Sequence, residues 1–74
     1  MRLRYMHDGS DTVVSCLKVS KSGRYLLIDF LRDGKLEKFV ADTGSSGASN
    51  EAMDVLASTG CVDVREFVVT NMSD

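Results

Sequence analysis

The fold is decided by residues 24–41, which read RYLLIDFLRDGKLEKFVA. Two apolar segments flank Asp33-Gly34, a dipeptide that favours a two-residue type I′ turn between antiparallel strands. A turn at this position places Ile28 opposite Phe39. One face of the hairpin is then apolar and is expected to belong to the core: Leu26, Ile28, Phe30 and Phe39.

The opposite face of this hairpin is less polar than a solvated sheet face should be. The pair Asp29 and Lys38 interrupts it. It also carries five large side chains, which we expect to bind a protein partner or a second copy of the chain: Tyr25, Leu27, Leu31, Leu36 and Val40. This expectation rests on the rarity of such patches on soluble monomers.

The segments outside the hairpin predict further strands. Alternating and β-branched patterns favour strands over residues 1–7 and 12–20, and a last strand over residues 61–69. The expected class is α+β: an antiparallel sheet of four to five strands in the order β-β-β-β-α-β, with one helix packed on one face. We expect a single domain over residues 1–74, with residues 70–74 frayed.

A loop rich in glycine and serine, residues 42–50, leads into the expected helix. Ser49 or Asn50 can cap a helix that runs to about Thr59, and Gly60 suits the position after its end. An apolar stripe along this helix is expected to face the sheet: Ala48, Ala52, Val55, Leu56 and Thr59.

Composition excludes several functional classes. The chain has 74 residues, a net charge of −2 and 43% hydrophobic residues, which is typical of a small globular domain. Its longest apolar run, residues 26–28, is too short for a transmembrane helix or a signal peptide, so a cytoplasmic protein is expected. Cys16 and Cys61 form no C-x-x-C pair and His7 is the single histidine, so we expect reduced thiols, no metal site and no cofactor.

The charge distribution leaves nucleic-acid binding open as an alternative. Residues 1–40 hold eight basic and five acidic side chains, whereas residues 41–74 hold one and six. The basic strand residues that could contact a nucleic acid are Arg2, Arg4, Lys18, Arg24 and Lys38. Tyr5 and Tyr25 could stack on bases, but no established RNA-binding motif accompanies them.

A short motif suggests a third hypothesis for the function. Residues 39–46, FVADTGSS, resemble the active-site run of pepsin-like and retroviral aspartic proteases, in which an apolar strand ends in Asp-Thr-Gly. The resemblance covers these eight residues and implies a homodimer in which Asp42 of each copy shares a proton. The other interpretation of Asp42-Thr43-Gly44 is a plain loop between a strand and a helix.

The favoured function is non-catalytic. We expect a protein-binding module, not an enzyme, that acts through the apolar hairpin face, with a homodimer as one form. In size and layout the chain is similar to small phage and mobile-element proteins, some of which inhibit host defence proteins. That similarity is an analogy of architecture.

Overall fold

The computed structural model describes residues 1–72 and contains one helix and one six-stranded sheet within them. The elements are β1 (Arg2–His7), β2 (Ser10–Ser22), β3 (Tyr25–Arg32), β4 (Lys35–Asp42), α1 (Ser46–Thr59), β5 (Cys61–Asp63) and β6 (Val68–Asn71). The strands lie in the order β5-β1-β2-β3-β4-β6. The α+β class with one helix on a sheet is therefore confirmed, with six strands rather than four or five among the described residues.

The central hairpin forms as the sequence predicts. Asp33 and Gly34 both have positive φ, 53° and 77°, which is the backbone that a type I′ turn requires. Ile28 pairs with Phe39 across β3 and β4. A second turn of this kind, at residues 8–9, joins β1 to β2, so β2 begins earlier than the alternating pattern indicated.

The prediction of one strand over residues 61–69 was wrong. β5 pairs parallel with β1, Leu3 opposite Val62, whereas β6 pairs antiparallel with β4, Ala41 opposite Val69. The sheet is therefore mixed, not purely antiparallel. These strands form opposite edges of the sheet, and residues 64–67 connect them; we call this connection the crossing segment.

The crossing segment shows how strongly the sheet is curled. From Asp63 to Val68 there are five Cα steps, which span at most about 17 Å. Val64 is buried, so the segment passes over the core rather than around it. The two edges of the sheet must therefore lie close together, with the crossing segment covering part of the inner face.

The core lies between the inner face of the sheet, α1 and the crossing segment. The hairpin residues expected in the core are all buried: Leu26, Ile28, Phe30 and Phe39. Leu3 and Tyr5 of β1 join them. The rings of Tyr5, Phe30 and Phe39 contact each other with centroid distances of 4.5 to 5.7 Å, two of the three pairs edge to face, a favourable arrangement for aromatic side chains.

The helix begins earlier than expected. Ser45 is the N-cap, and its hydroxyl accepts a hydrogen bond from the Ala48 N–H at 3.1 Å. Ser49, one of the two expected caps, is instead fully buried and donates a hydrogen bond to the Gly23 carbonyl at 2.7 Å. Ser49 thus ties α1 to the turn between β2 and β3. Gly60 ends the helix at φ 73°, as predicted.

The expected helix stripe is only partly correct. Leu56 is buried, but Val55 is 44% exposed, and Ala48 and Ala52 are only half-buried. The side of α1 that packs on the sheet carries Ser49, a buried polar residue, and Leu56. Val55 lies on another side of the helix and stays outside the core. The described part of the chain contains no helix with the length and hydrophobicity needed to span a bilayer.

The tail behaves differently from the expectation of fraying. Residues 70–71 belong to β6, and Met72 donates a backbone hydrogen bond to the Lys38 carbonyl at 2.8 Å. Residues 73–74 lie outside the described residues. Cys16 is buried and Cys61 half-buried, both as free thiols.

Candidate protein-binding surface

Five side chains of β3 and β4 lie on the outer face of the sheet, the face opposite α1. We call them the hairpin patch: Tyr25, Leu27, Leu31, Leu36 and Val40. They alternate along both strands with the buried core residues, which is why they face outward. Their exposed fractions are 64% for Leu36, 46% for Leu31 and 38% for Tyr25, while Leu27 and Val40 are half-buried by their neighbours.

Strand register arranges the patch as two apolar pairs around one ion pair. Leu31 lies opposite Leu36 near the turn, and Leu27 lies opposite Val40 two residue pairs further along on the same face. Between them, Lys38 Nζ lies 3.7 Å from Asp29 Oδ1. The register that the sequence indicated for this surface is therefore present, including the polar interruption.

Tyr25 marks the end of the patch that is farthest from the turn. The Arg24 guanidinium lies 5.2 Å from the centroid of the Tyr25 ring, a cation–π distance. Arg24 also pairs with Asp42, Nη2 to Oδ2 at 3.0 Å. The hydroxyl of Tyr25 and the Asp42 carboxylate together raise the pKa of the Arg24 guanidinium.

The Asp42-Thr43-Gly44 motif is built into the loop that follows β4. Asp42 accepts a hydrogen bond from the Gly44 N–H at 2.9 Å, and the Thr43 hydroxyl donates to the Arg24 carbonyl at 2.6 Å. The Thr43 contact joins the end of β4 to the start of β3, and the Asp42 contact lies within the loop. The protease-like dimer stays a prediction, and the geometry of one chain gives these groups structural partners.

Three further exposed apolar residues were missed from the sequence, and two of them lie at the β6 edge beside the patch. Leu17, at an irregularity in β2, is 55% exposed; Val68 and Met72, at the β6 edge, are 75% and 58% exposed. Val68 lies opposite Asp42 on the outer face, so β6 continues the apolar surface beyond β4. The alternation of Val68, Thr70 and Met72 carried this signal, but it is hidden when residues 61–69 are taken as one strand.

The basic residues of the nucleic-acid alternative are spread over the same outer face. Three of them have acidic partners: Arg4 donates to both oxygens of Asp11, Arg24 pairs with Asp42, and Lys38 pairs with Asp29. Arg2 and Lys18 are exposed and form no ion pair with the rest of residues 1–72. Since the cations alternate with carboxylates, nucleic-acid binding stays a prediction without a distinct basic patch.

A polar network links β1, β2 and the crossing segment. Arg65 donates to Asp63, Nη2 to Oδ2 at 2.8 Å, and to Asp11, Nη1 to Oδ2 at 3.1 Å. The Arg4 guanidinium lowers the pKa of Asp11, and the Arg65 guanidinium lowers the pKa of Asp63. Both carboxylates are thus held in the charged form.

A second polar group lines a cavity of about 330 Å³ at the turn end of the inner face. Arg32 donates to Glu37 at 2.8 Å and lies 3.2 Å from His7 Nδ1. The Tyr5 hydroxyl is the main cause of the raised pKa of Arg32, although it has no hydrogen bond of normal geometry among the described residues. Arg32 therefore contacts both His7 and Glu37, whereas the buried Tyr5 hydroxyl has no hydrogen-bond partner within residues 1–72.

Within residues 1–72 no group of three or more His, Cys, Asp or Glu side chains is arranged to hold a metal ion. Comparison with protein-family models, with curated proteins and with solved structures found no match to this chain.

Proposed function

We propose that this protein acts without catalysis, by binding another protein through the hairpin patch. The observation that carries the proposal is the exposure of Leu31 and Leu36 beside half-buried Leu27 and Val40 on one continuous sheet face. Soluble monomers rarely keep a contiguous apolar surface larger than a few hundred Å² unless it is used. No described residue of this chain covers it.

The magnitudes favour Leu36 as the strongest contributor. Complete burial of a leucine side chain contributes about 1.5–3 kcal/mol, so covering the exposed part of Leu36 contributes about 1–2 kcal/mol. Leu31 contributes somewhat less because it is already half-covered. Loss of Leu36 alone should then weaken a complex about tenfold, since each 1.4 kcal/mol is a factor of ten.

A second copy of the chain is the first partner to test. The patch holds one positive and one negative side chain, Lys38 and Asp29, at its centre. Around a two-fold axis, Lys38 of one copy can face Asp29 of the other while the leucine pairs pack together, which makes the surface complementary to itself. If the partner is a different protein, such as the host target expected of a small inhibitor, it should contact the same leucines.

The test compares three proteins by sedimentation equilibrium at up to about 1 mM chain: wild type, Leu36→Glu and Ala57→Glu. Leu36→Glu should leave the fold intact, because Leu36 is 64% exposed, and should weaken association at least about tenfold. Ala57→Glu adds the same charge at an exposed position of α1 and should leave association unchanged.

The same three proteins, immobilised, test for a different partner by capture from lysate. A partner that wild type and Ala57→Glu retain and Leu36→Glu loses supports the proposal. A partner that Leu36→Glu retains equally contradicts it. A wild-type chain that neither associates nor retains a partner contradicts it as well.

A further inference from the structure

A groove of about 630 Å³ lies between α1 and the crossing segment and shares no residue with the hairpin patch. Its apolar lining comes from three separate parts of the chain: Met6, Ala48, Ala52, Val55 and Phe67. Met6 and Val55 are 48% and 44% exposed. Ala52 and Phe67 also pack against the core, whereas Val55, from the expected helix stripe, lies outside it.

The charged residues of the groove are mostly acidic. Glu51 stands on the α1 side, and Asp63 and Glu66 stand on the other side, with Arg65 beside them. Arg65 and Asp63 are paired with each other at 2.8 Å. Glu51 and Glu66 are exposed and form no ion pair with the rest of residues 1–72, so two uncompensated carboxylates face the groove from opposite walls.

We propose that this groove binds a short cationic peptide segment in which apolar side chains lie between two basic residues. The apolar lining requires apolar side chains in the occupant, because a fully polar ligand would leave Val55 and Met6 in contact with its polar groups. The carboxylates on opposite walls require two separated positive charges, because a ligand with one cation reaches only one wall.

The length of the groove agrees with a short segment. Ala48 and Val55 are seven residues apart on α1, which corresponds to about 10 Å along the helix axis. An extended chain covers that distance with about three residues. The volume also lies within the range of about 300–1,000 Å³ that is typical of ligand pockets. About three residue steps join four residues, so a segment of about four residues spans the groove.

The probes are three fluorescein-labelled peptides of identical length, with the cores Lys-Leu-Leu-Lys, Lys-Ser-Ser-Lys and Glu-Leu-Leu-Glu, measured by fluorescence anisotropy. Lys-Leu-Leu-Lys should bind saturably to wild type, and the other two at least about tenfold more weakly. Equal binding of Lys-Ser-Ser-Lys would show that charge alone attracts the probe, and would overturn the proposal. No saturable binding of Lys-Leu-Leu-Lys up to millimolar protein would overturn it too.

The matched variants are Glu51→Lys and Asp54→Lys, which make the same charge change on the same helix. Both residues are exposed, but only Glu51 lines the groove. Glu51→Lys should weaken Lys-Leu-Leu-Lys binding about tenfold or more, and Asp54→Lys less than about threefold, with unchanged circular dichroism for both. Equal weakening by the two variants refutes the groove as the binding site.

The same variants separate a peptide ligand from a second copy of the chain. Glu51→Lys should leave the sedimentation behaviour of the wild type unchanged. If Glu51→Lys instead converts an associated wild type to a monomer, the occupant is another copy and the proposal is wrong. Leu36→Glu should bind Lys-Leu-Leu-Lys with the affinity of the wild type. A result against the proposal for the hairpin patch can therefore be distinguished from a result against the proposal for the groove.

Discussion

Alanine in place of Gly60 should lower the free energy of unfolding by about 1 kcal/mol, because Gly60 ends α1 in the left-handed region at φ 73°. Apart from Gly60 and its two chain neighbours, no atom of residues 1–72 lies within 4 Å of a Cβ built at this position, so the backbone determines the effect. Left-handed backbone destabilises alanine by about 1–2 kcal/mol, and the reduced entropy of the unfolded chain offsets about 0.4–1 kcal/mol of that.

The same substitution at Gly47 should act in the opposite direction. Gly47 lies inside α1, and a Cβ there meets Ser45 Oγ at 3.9 Å, which is an ordinary van der Waals contact. Alanine is a better helix former than glycine by about 0.5–1 kcal/mol. The same substitution at the two ends of α1, in the first turn and at the cap after the last, should therefore differ in its effect on the unfolding free energy by about 1.5–2 kcal/mol.

The assay is urea unfolding followed by circular dichroism at 25 °C. The midpoint should fall for Gly60→Ala and rise for Gly47→Ala, with the slope m unchanged. In thermal unfolding, 1 kcal/mol corresponds to about 4–8 °C for a domain of this size. Gly60→Asn should lose less stability than Gly60→Ala, because asparagine tolerates the left-handed region better than alanine.

A Gly60→Ala protein as stable as wild type would refute this reasoning about the end of the helix. The consequence would extend beyond α1. The Gly60 carbonyl accepts a hydrogen bond from the Arg2 N–H at 2.8 Å, so the cap also places β5 beside β1. A right-handed Gly60 would direct the chain elsewhere, and the pairing of β5 with β1 would lose its starting point.

Two further predictions concern titration and thiol chemistry. The pKa values of Asp11 and Asp63 are lowered in the folded state, so their stabilisation is complete above about pH 4 and is lost as the pH falls through the lower folded values. Urea midpoints should therefore drop as the pH falls below about 4, and the Asp11→Asn/Asp63→Asn variant should show a shallower drop; an equal drop in both proteins argues against these ion pairs. Burial shields Cys16 and raises the pKa of its thiol, whereas Cys61 is half-buried, so a disulfide reagent at pH 8 should modify Cys61 first and Cys16 much more slowly. Equal rates for the two thiols, measured by peptide mass spectrometry, would contradict the burial of Cys16.

The central hairpin could be predicted from sequence because its determinants are local. Asp33-Gly34 selects the turn, and the turn selects the register, so that the alternation of residues 25–32 decides which side chains enter the core. The hairpin patch followed from the same alternation. Nothing distant in the chain had to be known for either result.

The last strand could not be predicted because its partners are distant. Residues 61–63 pair with β1 at the start of the chain, and residues 68–71 pair with β4. The β-propensity of residues 61–69 is high throughout, so it predicts a strand but does not show where one strand ends and the next begins. The change of phase between Val62 and Phe67 marked the crossing segment, which resembles a bulge when only local sequence is considered.

The start of the helix depends on which of several residues becomes the N-cap, and local sequence rules do not decide between them. Residues 45–50 offer several caps, and both Ser45 and Ser49 have the right chemistry. Ser45 becomes the cap because Ser49 is buried against the turn at Gly23, where its hydroxyl meets a carbonyl. With Ser49 and Leu56 on the buried side of α1, Val55 is 44% exposed and lines the groove, so the groove could be recognised only with the fold in hand.

The two surfaces that we propose as binding sites have one structural cause. A 14-residue helix and the crossing segment are enough to cover the inner face of this sheet, and no described element remains for the outer face. The outer face therefore keeps its leucines exposed, with the balanced charges of Asp29 and Lys38 that suit a copy of itself. The groove lies where α1 and the crossing segment leave a gap between them. Its carboxylates without an ion-pair partner among the described residues, Glu51 and Glu66, suit a cationic segment. The residues of the two surfaces do not overlap, so a substitution in one surface leaves the lining of the other unchanged.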